Sequence, residues 1–517
     1  MKQLSLFRIT PNELALQIGV SEATIRNWIK LGYLQKVDDY ISYESIQNLY
    51  KLIGTEKLTK RANKLKKDNF DYEEVSSLFL NKLNKNIELI AKEYENNLSE
   101  SYKNKEGIFY TPEDVVKDLI DIKKDGTFCD PCCGSGNFII EAIKQGISPQ
   151  NIYGYDTDKV AVEITKKRIF ELTGYKSENI ICCDFLKTDT KKFDYIFTNP
   201  PWGKKLPKQE KIDIASKYEI KEALDTSSLF FFKCIDILKD GGVLGFLLPE
   251  SFFNVATFKE AREKALNYNI LKLIDYKKPF KKLITRAQAI VLKKEKPKKW
   301  IEFRWNDKTY KRDRNSFLHN PKKILNFYCD YEDSEVIEYL YSLSHITLEN
   351  RAKWALGIVT GNNKKFIINE KKAGYIPIYK GKHITKNGII KTDEFIPNDL
   401  SLYQQVAPKE MYENKKLVYK FISSKLCFAY DKKGRYFLNS ANILIPQDIN
   451  MEVLKDLLNS KFMNWLFKNT FNTHKVLRGD LESLPIFSQF LKDKFSEKDY
   501  LDSLGLREIN GTYRIKK

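Results

Sequence analysis

Apolar positions recur at helical spacing in the first fifty residues, where Leu14, Ile18, Val20, Ile25 and Trp28 fall where two crossing helices would face each other. The first helix covers Glu13 onward and ends at Gly19; Ser21 caps a second, Glu22 to Leu31, stopped by Gly32. From about Lys51 to Glu106 the chain is charged, and Val75, Leu78, Phe79, Leu83, Ile87, Ile90 and Tyr94 form an apolar stripe. That stripe predicts a helix lying against the next domain. From Gly107 to about Lys296 short β-branched strands alternate with helical segments, which predicts a Rossmann-like, doubly wound α/β sheet. Beyond Lys298 aromatic, Lys-rich, Gly-punctuated segments replace that alternation. The expected division is 1–53, a small helical module; 54–106, a helical connector; 107–300, the α/β domain; and 348–517, a domain of mixed α+β character.

The strand ends carry the chemistry. Thr127 to Asp130 is a short strand running into Pro131-Cys132-Cys133-Gly134-Ser135-Gly136-Asn137, and a helix follows at once. Glycines at such a turn let the backbone approach a ligand, and the helix start adds oriented N–H groups. The third glycine of the dinucleotide fingerprint is missing, which argues against a generic nicotinamide site. The next strand, Ile152 to Tyr155, ends in Asp156, suited to a ribose diol; the third, Ile180 to Cys183, ends in Asp184-Phe185, suited to an adenine. One acidic strand end is by default a solvated cap, but three in order define a site. A fourth apolar strand, Phe193 to Thr198, ends in Asn199-Pro200-Pro201-Trp202, and the prolines force and stiffen a turn.

Composition narrows the partners. Lys and Arg total 88 against 68 Asp and Glu, a net charge of +20 that favours a polyanion, nucleic acid above all. A Lys-rich proteome is the bland alternative. Neither a signal peptide nor an apolar run of about 18 residues is visible, so a membrane partner is not expected. The eight cysteines do not resemble a secreted disulfide framework, and a reduced, cytoplasmic setting is expected. Cys129, Cys132, Cys182 and Cys183 lack the spacing of a zinc module, and no metal is expected.

Taken together, the motifs resemble those of the γ-type amino-methyltransferases of restriction–modification systems. Gly107-Ile108-Phe109-Tyr110-Thr111-Pro112 is similar to the leading cofactor motif of that family, and Asp130 to Gly136 to its methionine-binding loop. Asp156 and Asp184-Phe185 match its ribose and adenine contacts, and Asn199 to Trp202 its catalytic turn; later motifs follow to Lys294. The resemblance implies S-adenosylmethionine as cofactor, bound by Tyr110, Thr111, Pro112, Asp130, Pro131, Gly134, Gly136, Asp156, Asp184 and Phe185. It implies methyl transfer to adenine N6 in duplex DNA, with the base turned out of the helix. The chemistry is consistent with the turn: an aromatic amine is a poor nucleophile, and the Asn199 oxygen and Pro200 carbonyl can accept both its hydrogens. Pro201 stiffens the turn and Trp202 offers a stacking face, where the family most often has tyrosine or phenylalanine. Phe280 is expected to supply a second aromatic wall.

Trp354 to Asn363, Tyr379 to Lys382, Asn439 to Asn442 and Leu477 to Leu481 resemble a TaqI-like specificity domain. Asn362, Asn363, Lys380, Lys382 and Arg478 are its candidate DNA contacts. Asn12 to Leu34 resembles the helix-turn-helix of the MerR and excisionase type, with Arg26 and Lys30 facing DNA. Cytosine N4, RNA or protein glutamine remain alternative substrates, and a non-catalytic regulator an alternative class. A fused nuclease is disfavoured because no nuclease constellation is evident; a separate cognate endonuclease is a candidate partner whose existence the sequence leaves open.

Overall fold

The computed structural model describes residues 9–18, 25, 28–29, 33–52, 72–83, 86–221, 225–280, 285–471, 473 and 475–516. The chain divides into two compact units, Met1–Thr190 with Phe197–Lys208, and Lys191–Ile196 with Gln209–Lys517. Strand Phe193–Thr198 therefore begins in the second unit and ends in the first. Among the described residues no helix is long and apolar enough to cross a membrane.

The first unit opens with helix Pro11–Ile18. Its start is closed reciprocally: Thr10 Oγ1 accepts from the Glu13 amide, and a Glu13 carboxylate oxygen accepts from the Thr10 amide at 2.8 Å. Proline at the first helical position needs no amide partner, which is why the helix begins before Glu13. Leu14, Ile25 and Trp28 meet in one core with Leu34, Ile41, Ile46 and Leu49, the last three brought by a small antiparallel hairpin and helix Tyr43–Leu52. The expected turn at Gly19, Val20 and Ser21, its stop at Gly32, and the groove-facing Arg26 and Lys30 lie outside the described residues.

The apolar stripe after residue 72 spans two helices, Tyr72–Lys82 and Ile87–Asn97, where its period predicts one. Asn86 ends the continuity because its side chain accepts from the Leu89 amide and so starts a new helix. Phe79, Ile87, Ile90 and Tyr94 are buried against Val160, Ala161 and Ile164 of helix Lys159–Thr173. Asp158 locks this packing. It caps that helix through the Val160 and Ala161 amides and accepts from the hydroxyls of Tyr72 (2.7 Å) and Tyr94 (2.5 Å).

Phe128–Asp130, Ile152–Asp156 and Ile180–Cys182 pair in parallel, with Asp130 opposite Gly154 and Asp156 opposite Cys182. Helices Asn137–Lys144 and Lys159–Thr173 make the crossovers. Parallel strands all end at the same edge, so the register gathers Asp130, Asp156 and the start of Asp184-Phe185 there.

In the second unit Leu238–Pro249 pairs antiparallel with Ala287–Lys293, and that strand antiparallel with Asn269–Asp275. Asn269–Asp275 then pairs in parallel with Trp300–Trp305, itself antiparallel to Lys308–Asp313. The parallel alternation expected from the sequence thus gives way to mixed pairing within the α/β class. The connection 276–286 is too short for the crossover, roughly a dozen residues or more, that parallel neighbours need. The C-terminal part has the expected mixed α+β character. Ala352–Leu356, Ala441–Pro446, Lys416–Lys420 and Phe428–Asp431 form an antiparallel sheet in that order, covered by helices Met451–Asn459 and Lys461–Phe471.

Lys416 and Asp431 face each other across that sheet, both wholly buried, in an ion pair of 2.7 Å that Arg435 also joins. Removing one member of a buried pair strands the other's charge. Lys416→Met is expected to destabilise the second unit by about 3 kcal/mol in denaturant unfolding. A change near zero would show that Arg435 alone neutralises Asp431.

Candidate active site

The floor of the site is Asp130, only 1% exposed. Its Oδ1 accepts from Thr198 Oγ1 at 2.7 Å and from the Cys132 amide at 3.1 Å, while Oδ2 is buried without a hydrogen bond. Thr198 precedes Asn199, so this contact ties the tip of the fourth strand to the tip of the first. Phe197 stacks on Phe128 just below, with ring centroids 6.2 Å apart. Burial pushes the Asp130 carboxyl up to about 7 and the Asp156 carboxyl up to about 6, the Asp158 charge adding to the latter.

Asp156 is already oriented by the main chain: its Oδ2 accepts from the Gly134 amide at 2.8 Å and its Oδ1 from the Asp158 amide at 2.9 Å. Each oxygen keeps a second lone pair, so two more hydrogen bonds remain available for a diol. Asp184 caps the short turn Phe185–Lys187 through the Leu186 amide. Phe185 is buried against Tyr155 at 5.4 Å, so its ring is part of the sheet's packing as well as of the strand tip.

The loop between Asp130 and helix Asn137–Lys144 requires its glycines. Gly136 has φ 92°, and a Cβ there would lie 2.8 Å from Thr165 Oγ1. Thr165 in turn donates to the Gly134 carbonyl at 2.8 Å. Tyr110 covers Gly134, where a Cβ would come within 3.1 Å of its ring. Pro131 precedes the loop and Pro112 caps the helix Glu113–Leu119 that follows Thr111.

The turn after Thr198 is held by the segment 107–111. Trp202 donates its amide to the Gly107 carbonyl at 3.1 Å, and a Cβ on Gly107 (φ 71°) would lie 2.6 Å from the Trp202 carbonyl oxygen. Asn199 Nδ2 donates to the Phe109 carbonyl at 2.7 Å and lies 3.2 Å from Thr111 Oγ1. These acceptors fix which end of the amide is nitrogen. The other end, Oδ1, is buried and makes no hydrogen bond among the described residues. An unsatisfied buried acceptor costs about 1–3 kcal/mol, so this oxygen is poised for a donor from outside the chain. Trp202 is 7% exposed and its ring packs on Phe109, centroids 5.5 Å apart.

The sequence pattern missed a second ring of residues around the loop. Arg168 donates from Nη1 to the Ser135 carbonyl (2.7 Å) and to Asn137 Oδ1 (2.9 Å), and from Nε and Nη2 to Glu88. Asn137 Nδ2 reaches the Thr111 carbonyl, and Ser135 Oγ donates to Glu95 Oε1 at 2.5 Å. Glu88 and Glu95 stand seven residues apart, two turns along one helix face, and that spacing was the available signal.

The candidate DNA contacts lie in the second unit and are mostly engaged there. Asn362 caps helix Asn363–Phe366, and Asn363 accepts from Thr360 Oγ1. Lys380 pairs with Glu394 at 2.7 Å, Lys382 more loosely at 3.7 Å, and Arg478 pairs with Glu482 while lying over the Trp354 ring. Phe280 is buried; Lys281 to Ile284, beside it, lie outside the described residues. Among the described residues no cluster of His, Cys, Asp and Glu is arranged to hold a metal ion.

Acidic strand tips, a glycine loop and an amide-bearing proline turn at one sheet edge define an α/β methyltransferase site. Residues 85–353 match the N-6 DNA Methylase family, and residues 376–486 the TaqI-like C-terminal specificity domain. Over 414 residues the chain is 45% identical to the type II methyltransferase M.VspI of Vibrio sp. (strain 343), covering 75% of this chain and 100% of that protein. It is 28% identical over 216 residues to modification methylase CviBIII of Paramecium bursaria Chlorella virus NC1A, covering 40% of this chain and 54% of that one. A release factor glutamine methyltransferase of Clostridium botulinum is 29% identical over 143 residues, 26% of this chain and 50% of that protein. The chain belongs to the N-6 DNA methylase family, and its activity is methyl transfer to adenine N6 in DNA.

Asp130 gives a pH test. An exposed aspartate titrates near 4, so between about 4 and 7 the folded protein keeps a proton that the unfolded chain has lost. Its contribution therefore favours folding at low pH and is lost as pH rises through that window. Asp130→Asn should stabilise the ligand-free protein relative to wild type at about pH 8, and the gain should shrink toward about pH 4 in paired thermal melts. Equal differences at both pH values would mean that the carboxyl ionises normally.

Proposed function

We propose that Asn199 and its turn are the catalytic group of a site-specific adenine methyltransferase that uses S-adenosylmethionine and acts on duplex DNA. The observation that carries this reading is the orphaned Asn199 Oδ1, whose partner nitrogen is tied down by Phe109 and Thr111. An adenine amino group brings the donor that this oxygen lacks. Oδ1 accepts one N–H and the Pro200 carbonyl accepts the other, which draws the nitrogen toward tetrahedral geometry and turns its lone pair outward. Because Nδ2 is anchored, the amide keeps this geometry without paying to reorganise during the reaction. Trp202 provides an aromatic surface for the extruded base, and Phe280 is assigned the second one.

The residues fit the cofactor. The glycine loop permits close main-chain approach, Asp130 Oδ2 is a buried acceptor without a partner, and Asp156 keeps lone pairs for a diol. When bound, S-adenosylmethionine supplies the sulfonium methyl group. Tyr110, Thr111, Pro112, Asp130, Pro131, Gly134, Gly136, Asp156, Asp184 and Phe185 would hold it.

The domain 348–517 is assigned the reading of sequence, supported by the specificity-domain match within it. Asn362, Asn363, Lys380, Lys382 and Arg478 would contact DNA there after exchanging local partners for phosphate or base edges. The N-terminal module is assigned a helix-turn-helix role, supported by the shared burial of Leu14, Ile25 and Trp28. The methylation is assigned to a restriction–modification system, a reading supported by the likeness to type II methyltransferases.

Asn199→Ala is expected to lower methyl incorporation by about a hundredfold to a thousandfold while binding of cofactor and DNA persists. Nucleoside mass spectrometry of plasmid treated with the wild-type enzyme should show N6-methyladenine. N4-methylcytosine in its place, or normal turnover by the variant, would overturn the assignment.

A further inference from the structure

Among the described residues, the edge that carries the glycine loop gathers the carboxylates of Asp130, Asp156, Asp158, Asp184 and Glu95. Asp156 accepts from two main-chain amides, Asp158 caps a helix and holds two tyrosines, Asp184 caps a turn, and Asp130 lies fully buried at the floor, its Oδ2 without a partner. The fifth, Glu95, comes from outside the sheet, on helix Ile87–Asn97. It is half-buried, and its Oε1 accepts from Ser135 Oγ at 2.5 Å. Its Oε2 makes no hydrogen bond among the described residues, and no cation stands within ion-pair distance of it there. Arg168 acts on it most strongly among the cations, ahead of Lys103 and Lys92, yet its donors are spent on Glu88, the Ser135 carbonyl and Asn137. Burial accordingly pushes the Glu95 carboxyl upward.

A desolvated carboxylate whose outer oxygen is unspent wants a cation that can donate hydrogen bonds. Its position is not accidental. Tyr94, the preceding residue, is pinned by Asp158, and Glu88, one face below, is pinned in bidentate fashion by Arg168. Glu95 is thus held from both sides before any ligand arrives, and its charge also acts on Tyr110, the ring that covers Gly134.

We propose that Glu95, delivered by the connector helix and steadied by Ser135, receives the α-ammonium group of the methionyl end of the cofactor. The inference rests on the assignment of the glycine loop to S-adenosylmethionine. A sulfonium centre cannot donate a hydrogen bond, whereas an ammonium carries three donors, which matches a carboxylate with one oxygen held by the loop's Ser135 and the other without a hydrogen bond. The connector is then part of the cofactor site, and not only a packing layer against helix Lys159–Thr173.

The test is calorimetric titration of the full chain with three probes: S-adenosylhomocysteine, its deaminated analogue, and 5′-methylthioadenosine, which lacks the amino-acid end. Glu95→Gln keeps shape and the contact to Ser135 while removing the charge. It should weaken S-adenosylhomocysteine on the order of tenfold to a hundredfold. The deaminated analogue and 5′-methylthioadenosine should bind the variant as they bind wild type. Unchanged affinity for S-adenosylhomocysteine, or equal loss for all three probes, would overturn the proposal, the second outcome marking a purely structural residue. If wild type binds none of the probes, the cofactor assignment itself falls.

Discussion

The site depends on one amide being held at one end. Asn199 Nδ2 is clasped by the Phe109 carbonyl and by Thr111, and that clasp decides where Oδ1 points. It also decides why the segment 107–111 must sit against the strand-tip turn. The Gly107 carbonyl accepts from the Trp202 amide, and Gly107 can carry no side chain because the Trp202 backbone occupies that space. Thr198, one residue upstream, is bound to Asp130. The turn is therefore fixed from both sides, by the floor of the sheet and by the preceding segment. A side-chain acceptor held this rigidly can favour a pyramidal amine over a planar one, which a mobile asparagine could not.

The same logic explains the connector. A glycine loop is conformationally permissive and loses much entropy when ordered, so something must hold it. Here Thr165 holds the Gly134 carbonyl, Arg168 the Ser135 carbonyl, and Asn137 reaches back to Thr111. Arg168 is itself oriented by Glu88 from the connector. Loop, strand-tip turn and connector form one hydrogen-bonded set, so a ligand in the loop meets a surface that is already shaped.

What the sequence disclosed follows from how local each feature is. Acidic residues at strand tips and the amide-proline turn were legible because strand period and proline chemistry are properties of neighbouring residues. The orphan state of Asn199 Oδ1 was not, since it depends on Phe109, ninety residues upstream. Glu95 was hidden for a related reason: on a charged amphipathic helix it looks like any solvated glutamate, and only the fold brings it to Ser135. The stripe through Val75 and Tyr94 was read as one helix because period alone does not see the cap at Asn86. Asn362 and Arg478 show the converse, polar residues that invite a DNA role yet have partners of their own, a turn amide and Glu482.

Charge is divided in a way that composition hides. The chain carries +20 overall, yet the strand-tip edge gathers Asp130, Asp156, Asp158, Asp184 and Glu95. Long-range steering follows the summed field and draws a polyanion toward the protein. Within the loop the near carboxylates dominate, because Coulomb energy rises as distance falls and as water is excluded. A phosphate backbone is repelled from that edge at short range, while a small cationic ligand is favoured. Burial limits the cost of this arrangement by pushing the Asp130 carboxyl up to about 7, so that the edge need not carry every charge at once. The carboxylates thus let a strongly basic protein keep one edge at which a cation is preferred to the polyanion it otherwise attracts.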